Sequence, residues 1–307
     1  MKYLSLALLI CLCSCNSGNA SQRENSTSQD TIKHFTLPAI PPMMTQPEQR
    51  ADFLVKHYWD HVNFADTNYI HHPEVMEQAW ADYCNILNHV PLKTAQEAIK
   101  ATIVRAEAHK KIYTHVTALA DKYLYDPNSP MRNEEFYIPV LEAMVASAVL
   151  DDTEKIRPQA RWKLAQKNRR GSKALDFTYT LASGAQGTLY QLQAPYTLLF
   201  INNPGCEACG EAIAALKGSP TISKLIAEKK LSVLALYPDE ELEEWQKHQN
   251  EFPDQWINGY DKKLTIKTES RYDLRAIPTL YLLDKDKVVL LKDAPAVAIE
   301  EYLNIHP

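Results

Sequence analysis

A pair of closely spaced cysteines, Cys206 and Cys209, most constrains what this chain can fold into. The pair follows the apolar run Tyr196–Ile201, whose length and composition are typical of a buried β-strand. Residues 202–205, which include Pro and Gly, break the strand, and a helix is predicted to begin near Cys206. The fold must therefore hold two thiols about one helical turn apart at a strand-to-helix junction.

The start of a helix is a favourable place for a redox-active cysteine. The unpaired N–H groups and the positive end of the helix dipole stabilise a thiolate in the first turn. We therefore predict that Cys206 is an exposed nucleophile. Cys209 lies one turn inside the helix, where it can attack a mixed disulfide on Cys206, so we predict that it is the buried resolving thiol.

Metal binding by the same pair has less support. A zinc half-site needs a second pair of ligands. There is no second CxxC, and the chain beyond the pair offers only His248 and His306. Haem attachment needs a histidine directly after Cys209, where Gly210 stands. Two structural thiols remain an open alternative at this point.

Beyond a basic boundary segment at residues 167–171, short runs of strand character alternate with helical runs. The predicted strands are Asp176–Leu181, Thr188–Leu192, Thr197–Ile201, Leu231–Leu236, Thr279–Leu283 and Val288–Leu291. Helices are predicted from near Cys206, around Glu240–Asn250 and from about Ala296. A hairpin, a β-α-β unit, a second hairpin and a helix make an α/β order.

A second motif, Ile277-Pro278-Thr279, leads directly into one of these strands. It resembles the Ile-Pro-Thr element of the thioredoxin fold, whose cis proline lies against the active-site disulfide, although a proline can also simply begin a strand. With the CxxC upstream, residues 174–304 resemble the membrane-tethered thioredoxin-like proteins of bacterial envelopes. The resemblance implies a thiol–disulfide oxidoreductase domain over residues 169–307, with a central mixed sheet flanked by helices. Its catalytic residues would be Cys206, Cys209 and Pro278, with the two cysteines forming a redox-active disulfide.

The chain departs from that family close to the cysteines. Gly205 stands where a tryptophan usually precedes the first cysteine, and Phe200 replaces the buried acid of thioredoxin itself. Loss of the acid removes one route for deprotonating Cys209. Glu207 and Glu211 place negative charge nearby, which disfavours a thiolate. We therefore expect a reductant rather than a strong oxidant, because strong oxidants have a heavily stabilised reduced thiolate.

The N-terminal half has apolar residues at helical spacing, which predicts an all-α domain over residues 47–168. The predicted helices are one from Pro47 with its apolar face reaching Val62, one begun by Pro73, one from an N-cap at Thr94 to Tyr125, and one around Phe136–Leu150. The stretches Leu54–Asp60 and Tyr125–Asn133 resemble a helical domain of unknown function. In Bacteroides-type bacteria that domain is fused to thioredoxin-like modules.

The beginning of the chain predicts export. A basic residue precedes the apolar run Leu4–Leu12, which is too short for a mature transmembrane helix but typical of a signal peptide. Residues 12–15, Leu-Cys-Ser-Cys, resemble a bacterial lipobox. We therefore expect a lipoprotein signal over residues 1–15 with Cys15 as the lipidated residue, an ordinary cleaved signal being the alternative. Residues 16–46 are predicted to be a flexible tether.

These features together indicate where the protein acts and with what. We expect a lipid-anchored protein of the cell envelope that faces the periplasm, with the outer membrane favoured over the inner. Its partners would be proteins with thiols or disulfides and an upstream envelope reductant, and the chemistry needs no metal or organic cofactor. The formal net charge of −5 gives no sign of a nucleic-acid partner, which would need a basic face.

Two other functions compete with the redox interpretation. One is a non-catalytic binding or scaffold lipoprotein with a thioredoxin-like fold and a static disulfide, since a fold alone does not establish an activity. The other is a peroxidase, because peroxiredoxins share the thioredoxin fold. It has little support, since Asn203 stands where peroxiredoxins carry a hydroxyl residue before the cysteine.

Overall fold

The structure, a computed structural model, describes residues 34–306. The predicted signal peptide, the predicted lipidation site Cys15 and the predicted tether as far as residue 33 lie outside the described residues. At the far end of the predicted tether, Phe35 packs on the helical half, with its ring centroid 4.9 Å from that of Tyr58. Within the described range, no helix is both long and apolar enough to cross a membrane.

The N-terminal half is all-α, as the apolar periodicity predicts. Its helices are α1 (Pro47–His57), α2 (Pro73–Leu87), α3 (Leu92–Ala106), α4 (Lys110–Ala120), α5 (Glu134–Ala146) and α6 (Asp152–Ala165). An aromatic cluster lies at the centre of this half. The ring centroid of Trp59 lies 5.8 Å from that of Trp80 and 5.4 Å from that of Tyr83, and all three side chains are buried. Such clusters supply much of the stabilisation from burial.

The prediction of one helix from Thr94 to Tyr125 was wrong. The segment is two helices, and the first begins earlier, with Pro91 as the N-cap of α3. His109 separates α3 from α4. Its backbone is extended, and its Nδ1 accepts a hydrogen bond from the N–H of Lys111 at 3.2 Å, which starts the second helix. A capping side chain makes this break without the glycine or proline that usually signals one.

Two further helix boundaries differ from the predictions. The first helix, α1, ends at His57, although its apolar pattern continues and Val62 is still buried in the turns that follow. The last helix of this half, α6, was not predicted as a separate element. It begins with a capping box, in which the side chains of Asp151 and Glu154 each accept the other's backbone N–H. Pro158 lies inside α6, where a proline is usually taken as a helix breaker.

The C-terminal half is built on a mixed β-sheet, which confirms the predicted α/β architecture. In the described part of the chain its strands are β1 (Thr178–Leu181), β2 (Gln186–Thr188), β3 (Tyr196–Ile201), β4 (Leu231–Tyr237), β5 (Ile257–Tyr260), β6 (Thr279–Asp284) and β7 (Val289–Lys292). The strand order is β2-β1-β5-β4-β3-β6-β7, with β3, β4 and β5 parallel and the other neighbours antiparallel. The flanking helices are α7 (Glu207–Gly218), α8 (Pro220–Ala227), α9 (Leu242–Lys247), α10 (Thr265–Thr268) and α11 (Ala296–Ile305).

Two of the strand assignments differ from the predictions. β5 was missed because it contains Gly259, a residue that weakens strand propensity. A Cβ at this position would lie 3.1 Å from the Tyr179 ring and 3.2 Å from the Thr180 carbonyl oxygen, so close approach to β1 requires glycine. The strand predicted over residues 188–192 was wrong, because Leu189–Gln191 form a 3-10 turn directly after β2.

The cysteine pair follows the C-terminal end of β3. Its residues alternate between the two faces of the sheet, so that Phe200 packs in the same core as Cys209 and Leu199 packs in the core on the opposite face. β6 runs antiparallel beside β3, with Thr279 opposite Ile201. The first residue of β6 and the last residue of β3 therefore meet at one end of the sheet.

The helical and α/β halves pack into one compact unit. The Lys167 ammonium donates to the Ser270 carbonyl at 2.8 Å, and the Asn168 side-chain amide donates to the Arg271 carbonyl at 2.8 Å. The predicted boundary near residue 168 is therefore a stretch of chain that is itself hydrogen-bonded to the α/β half.

Candidate functional site

Cys206 is the N-cap of α7, where the chain turns out of β3. The turn uses Gly205, whose φ of +69° lies in the left-handed region that other residues rarely adopt. Cys206 itself has φ −76° and ψ 122°, and its carbonyl accepts a hydrogen bond from the Gly210 N–H at 3.0 Å. The residue is partly exposed. A thiolate at this position would face the positive end of the helix dipole.

Cys209 lies in the first turn of α7 and is only 2% exposed. Burial raises the pKa of its thiol to about 12, although a hydrogen bond from the Asn203 N–H to Sγ, at 3.5 Å, acts in the opposite direction. A hydrogen bond with the Cys206 thiol raises the pKa further. Both cysteines are free. Because its pKa is raised to about 12, the Cys209 thiol is protonated at neutral pH, and burial shields it from solvent.

Pro278 lies beside the pair. The Ile277–Pro278 peptide bond is cis, and β6 begins at the next residue. The Sγ atom of Cys206 lies 3.9 Å from the Ile277 carbonyl oxygen, which a thiol can approach as a weak donor. The structure therefore brings together the three residues that the sequence singled out as catalytic, Cys206, Cys209 and Pro278.

His248, which the sequence offers only as a zinc ligand, lies beside the turn before the cysteines. A Cβ at Gly205 would lie 3.7 Å from its ring. The ring is held between two carboxylates, with Nδ1 2.6 Å from Glu251 Oε1 and Nε2 3.0 Å from Glu244 Oε1. Hydrogen bonds, first with Glu251 and then with Glu244, raise the pKa of His248. No sequence motif signals this contact, because only the fold brings the end of α9 to the turn.

Phe200 occupies the position of the buried acid in thioredoxin and is fully buried. It packs edge-on against Trp256, with the two ring centroids 6.3 Å apart. An aromatic ring cannot accept the proton of Cys209, so this position offers no carboxylate-assisted deprotonation of the resolving thiol.

The remaining cysteine of the described chain, Cys84, is a core residue. It is 2% exposed in the hydrophobic core of the helical half, and burial raises the pKa of its thiol to about 12. A thiol of this kind is unreactive. Within residues 34–306, no group of three or more His, Cys, Asp or Glu side chains is placed to hold a metal ion.

Comparison with known proteins identifies the N-terminal half of the chain. A family described as a domain of unknown function (DUF5106) matches residues 13–168. The chain belongs to this family. Comparison with curated proteins found no match.

Solved structures extend the likeness to the C-terminal half. A thioredoxin-like protein from Bacteroides caccae ATCC 43185 is 73% identical over 90% of this chain and 100% of its own, with a TM-score of 0.89. The C-terminal domain of an uncharacterized protein from Bacteroides fragilis NCTC 9343 is 66% identical over 45% of this chain and 98% of its own, with a TM-score of 0.44. A domain of a possible thiol-disulfide isomerase from Cytophaga hutchinsonii ATCC 33406 is 26% identical over 46% of this chain and 95% of its own, with a TM-score of 0.40.

The similarity to the Bacteroides caccae protein establishes the fold, because it covers nearly the whole chain at high identity. A helical domain of the DUF5106 family is therefore joined here to a thioredoxin-like α/β domain, as the sequence motifs predict.

Proposed function

We propose that this chain is a thiol–disulfide oxidoreductase that uses Cys206 and Cys209. The observation that carries the proposal is the arrangement of the two free cysteines, of which Cys206 is a partly exposed residue at a helix N-cap and Cys209 is a buried residue one turn inside. A static disulfide needs no exposed sulfur, and a substrate thiolate cannot attack a buried one. The exposure of Cys206 therefore supports exchange over the scaffold interpretation.

The proposed reaction has two steps. The Cys206 thiolate attacks one sulfur of a substrate disulfide. That S–S bond breaks, a bond from Cys206 to the attacked sulfur forms, and the other sulfur leaves as a thiolate that takes up a proton. Cys209 then loses its proton and attacks the Cys206 sulfur, which releases the second substrate thiol. Two electrons have passed to the substrate, and the protein retains a Cys206–Cys209 disulfide.

Pro278 and its neighbour have a role in holding the substrate in this proposal. The Ile277 carbonyl lies beside the attacking sulfur, where it can accept a hydrogen bond from an extended substrate backbone. Pro278 would keep that backbone alongside the cysteines. This contact orients the substrate disulfide towards Cys206 and away from the buried Cys209.

We propose further that the pair works as a reductant in the cell envelope. Glu207 and Glu211 are exposed on the first turns of α7, and their negative charge opposes the stabilised thiolate of a strong oxidant. An upstream dithiol must then return the disulfide to the reduced state. With Cys15 as a lipid anchor, the protein would face the periplasm and act on protein disulfides there.

Trapping of the mixed disulfide tests the proposal. The reduced Cys209→Ala variant is mixed with a peptide that contains one disulfide, and the products are separated and weighed by mass spectrometry. We expect a covalent adduct on Cys206 in this variant, whereas the wild-type protein releases both peptide thiols and ends with an internal disulfide. Cys206→Ala should do neither, and Cys84→Ala should behave as wild type. A native Cys209→Ala variant that forms no adduct would contradict exchange and favour a scaffold.

A further inference from the structure

The segment that leads to Pro278, which we call the proline loop (residues 273–278), is contacted by the helical domain. Arg275 of this loop stacks on Tyr125, with its guanidinium carbon 3.8 Å from the ring centroid. The same ring carries Arg161 at 4.0 Å. Each arginine is fixed by a carboxylate, Arg275 by Asp273 at 3.0 Å and Arg161 by a close ion pair within the helical domain. Cation–π contacts of this kind are strongest when partly desolvated.

A second connection reaches the other side of Pro278. The Thr279 hydroxyl, on the residue directly after the proline, donates to Asp293 Oδ1 at 2.9 Å. Asp293 in turn pairs with Arg132 of the helical domain at 2.9 Å, and this ion pair is about three-quarters buried. The helical domain is therefore connected to the chain on both sides of Pro278, through Tyr125 before it and through Arg132 after it.

On the side of Arg275, the proline loop borders a cavity rather than closely packed side chains. This cavity of about 430 Å³ lies between the two domains, lined among others by Arg132, Arg275, Thr279 and Asp293. Where packed side chains are missing, the stacked ring and the ion pairs limit how far the loop can move. On its opposite side the loop presents the Ile277 carbonyl to Cys206, at 3.9 Å.

We propose that the helical domain holds the proline loop against Cys206, and that Tyr125 and Arg132 are the positioning residues. The domain of unknown function then acts as a brace for the thiol site, and it determines how accessible Cys206 is and where the Ile277 carbonyl lies. The importance of this brace for disulfide exchange rests on the proposed function. The brace itself is a property of the reduced protein and can be measured without a substrate.

The test compares variants of the full chain in the reduced state. Tyr125→Ala removes the stacked ring, and Tyr125→Phe keeps it. Lys167→Met is the matched control, because the Lys167 ammonium also joins the two domains, through a hydrogen bond to the Ser270 carbonyl at 2.8 Å, and neither residue belongs to the proline loop. Two rates are measured, the alkylation of Cys206 by iodoacetamide and the hydrogen exchange of the backbone amides in residues 274–279. Thermal unfolding establishes that each variant is folded.

We expect Tyr125→Ala to raise both rates about fivefold, in line with the loss of one partly desolvated cation–π contact. Tyr125→Phe and Lys167→Met should stay within about twofold of wild type, since both keep the ring on Arg275. Arg132→Gln should act in the same direction as Tyr125→Ala, and Arg132→Lys should restore part of the effect. If Tyr125→Ala does not fold, the rates of these two Arg132 variants provide the test.

If Tyr125→Ala and Arg132→Gln both give the rates of Lys167→Met, the helical domain does not hold the proline loop. This outcome differs from a failure of the proposed function, which is read from mixed-disulfide trapping in variants that keep Tyr125 and Arg132. If no mixed-disulfide adduct forms but Tyr125→Ala still raises both rates, the proposed thiol–disulfide exchange is wrong and the positioning role of the helical domain is supported. If the adduct forms but both rates in Tyr125→Ala and Arg132→Gln stay at the level of the control variant, the proposed exchange is supported and the positioning role is wrong.

Discussion

Replacing Cys206 by alanine leaves Cys209 as the remaining thiol of the pair and tests whether burial protects it. With Cys206 present, the pKa of Cys209 is raised from the ordinary value of 9.0 to about 12, with burial as the largest cause and Cys206 as a smaller one. Each unit is tenfold in the thiolate fraction, so at pH 8 this full shift leaves about a thousandfold less Cys209 thiolate than in the unfolded chain. The variant keeps the burial and loses the contribution of Cys206, and because alkylation requires the thiolate, its rate should still fall by much more than about tenfold.

The assay is iodoacetamide labelling at pH 8, with each site quantified by peptide mass spectrometry in the folded variant and in the same variant unfolded in urea. Cys84, whose pKa burial also raises to about 12, is an internal reference for a shielded thiol. In the Cys209→Ala variant, the partly exposed Cys206 should react far faster than either. Folded Cys209 that reacts within about tenfold of its unfolded rate would refute the assignment of Cys209 as the buried resolving thiol.

Two further predictions concern charge and packing. Because its hydrogen bonds with Glu251 and Glu244 raise the pKa of His248, an NMR titration should place it above the ordinary value of 6.5, and Glu251→Gln should lower it. The stability that this raised pKa contributes is fully present below pH 6.5 and is lost as the pH rises through the folded value. A titration midpoint at or below 6.5 would be inconsistent with the ion pairs. Leu198→Ala, at a fully buried site in β3, should cost about 2–5 kcal/mol in urea unfolding. Val297→Ala, at a position that is 60% exposed, should cost less than about 0.5 kcal/mol, and equal costs would argue against this core.

The sequence predicts those parts of the fold that depend on local pattern. The second helix, α2, follows from Pro73 and from apolar residues repeating at helical spacing, and the structure buries Met76, Trp80 and Tyr83 along that face. The break between α3 and α4 could not be predicted in the same way. It is made by the His109 side chain capping the next helix, and histidine is not a usual signal for a helix start.

The residues of the candidate site also differ in whether a local sequence pattern predicts them. The CxxC pair and the Ile-Pro-Thr motif each have a recognisable local sequence, so their meeting at the ends of β3 and β6 could be predicted from the fold that they imply. His248 and Tyr125 have no such signal. They reach the site only because α9 and the segment that follows α4 pack against it. A contact between distant segments leaves no periodicity or spacing in the sequence to detect.

The most direct test of the central claim is the reduction potential of the Cys206–Cys209 couple in the native protein. The protein is equilibrated in dithiol/disulfide buffers of defined potential, quenched by alkylation, and weighed to count the free thiols at the two positions. We expect a reversible two-electron couple near or below the potential of thioredoxin, about −270 mV. A reversible couple near about −120 mV would contradict the reductant direction. A pair that never exchanges in the folded protein would contradict the proposed function itself.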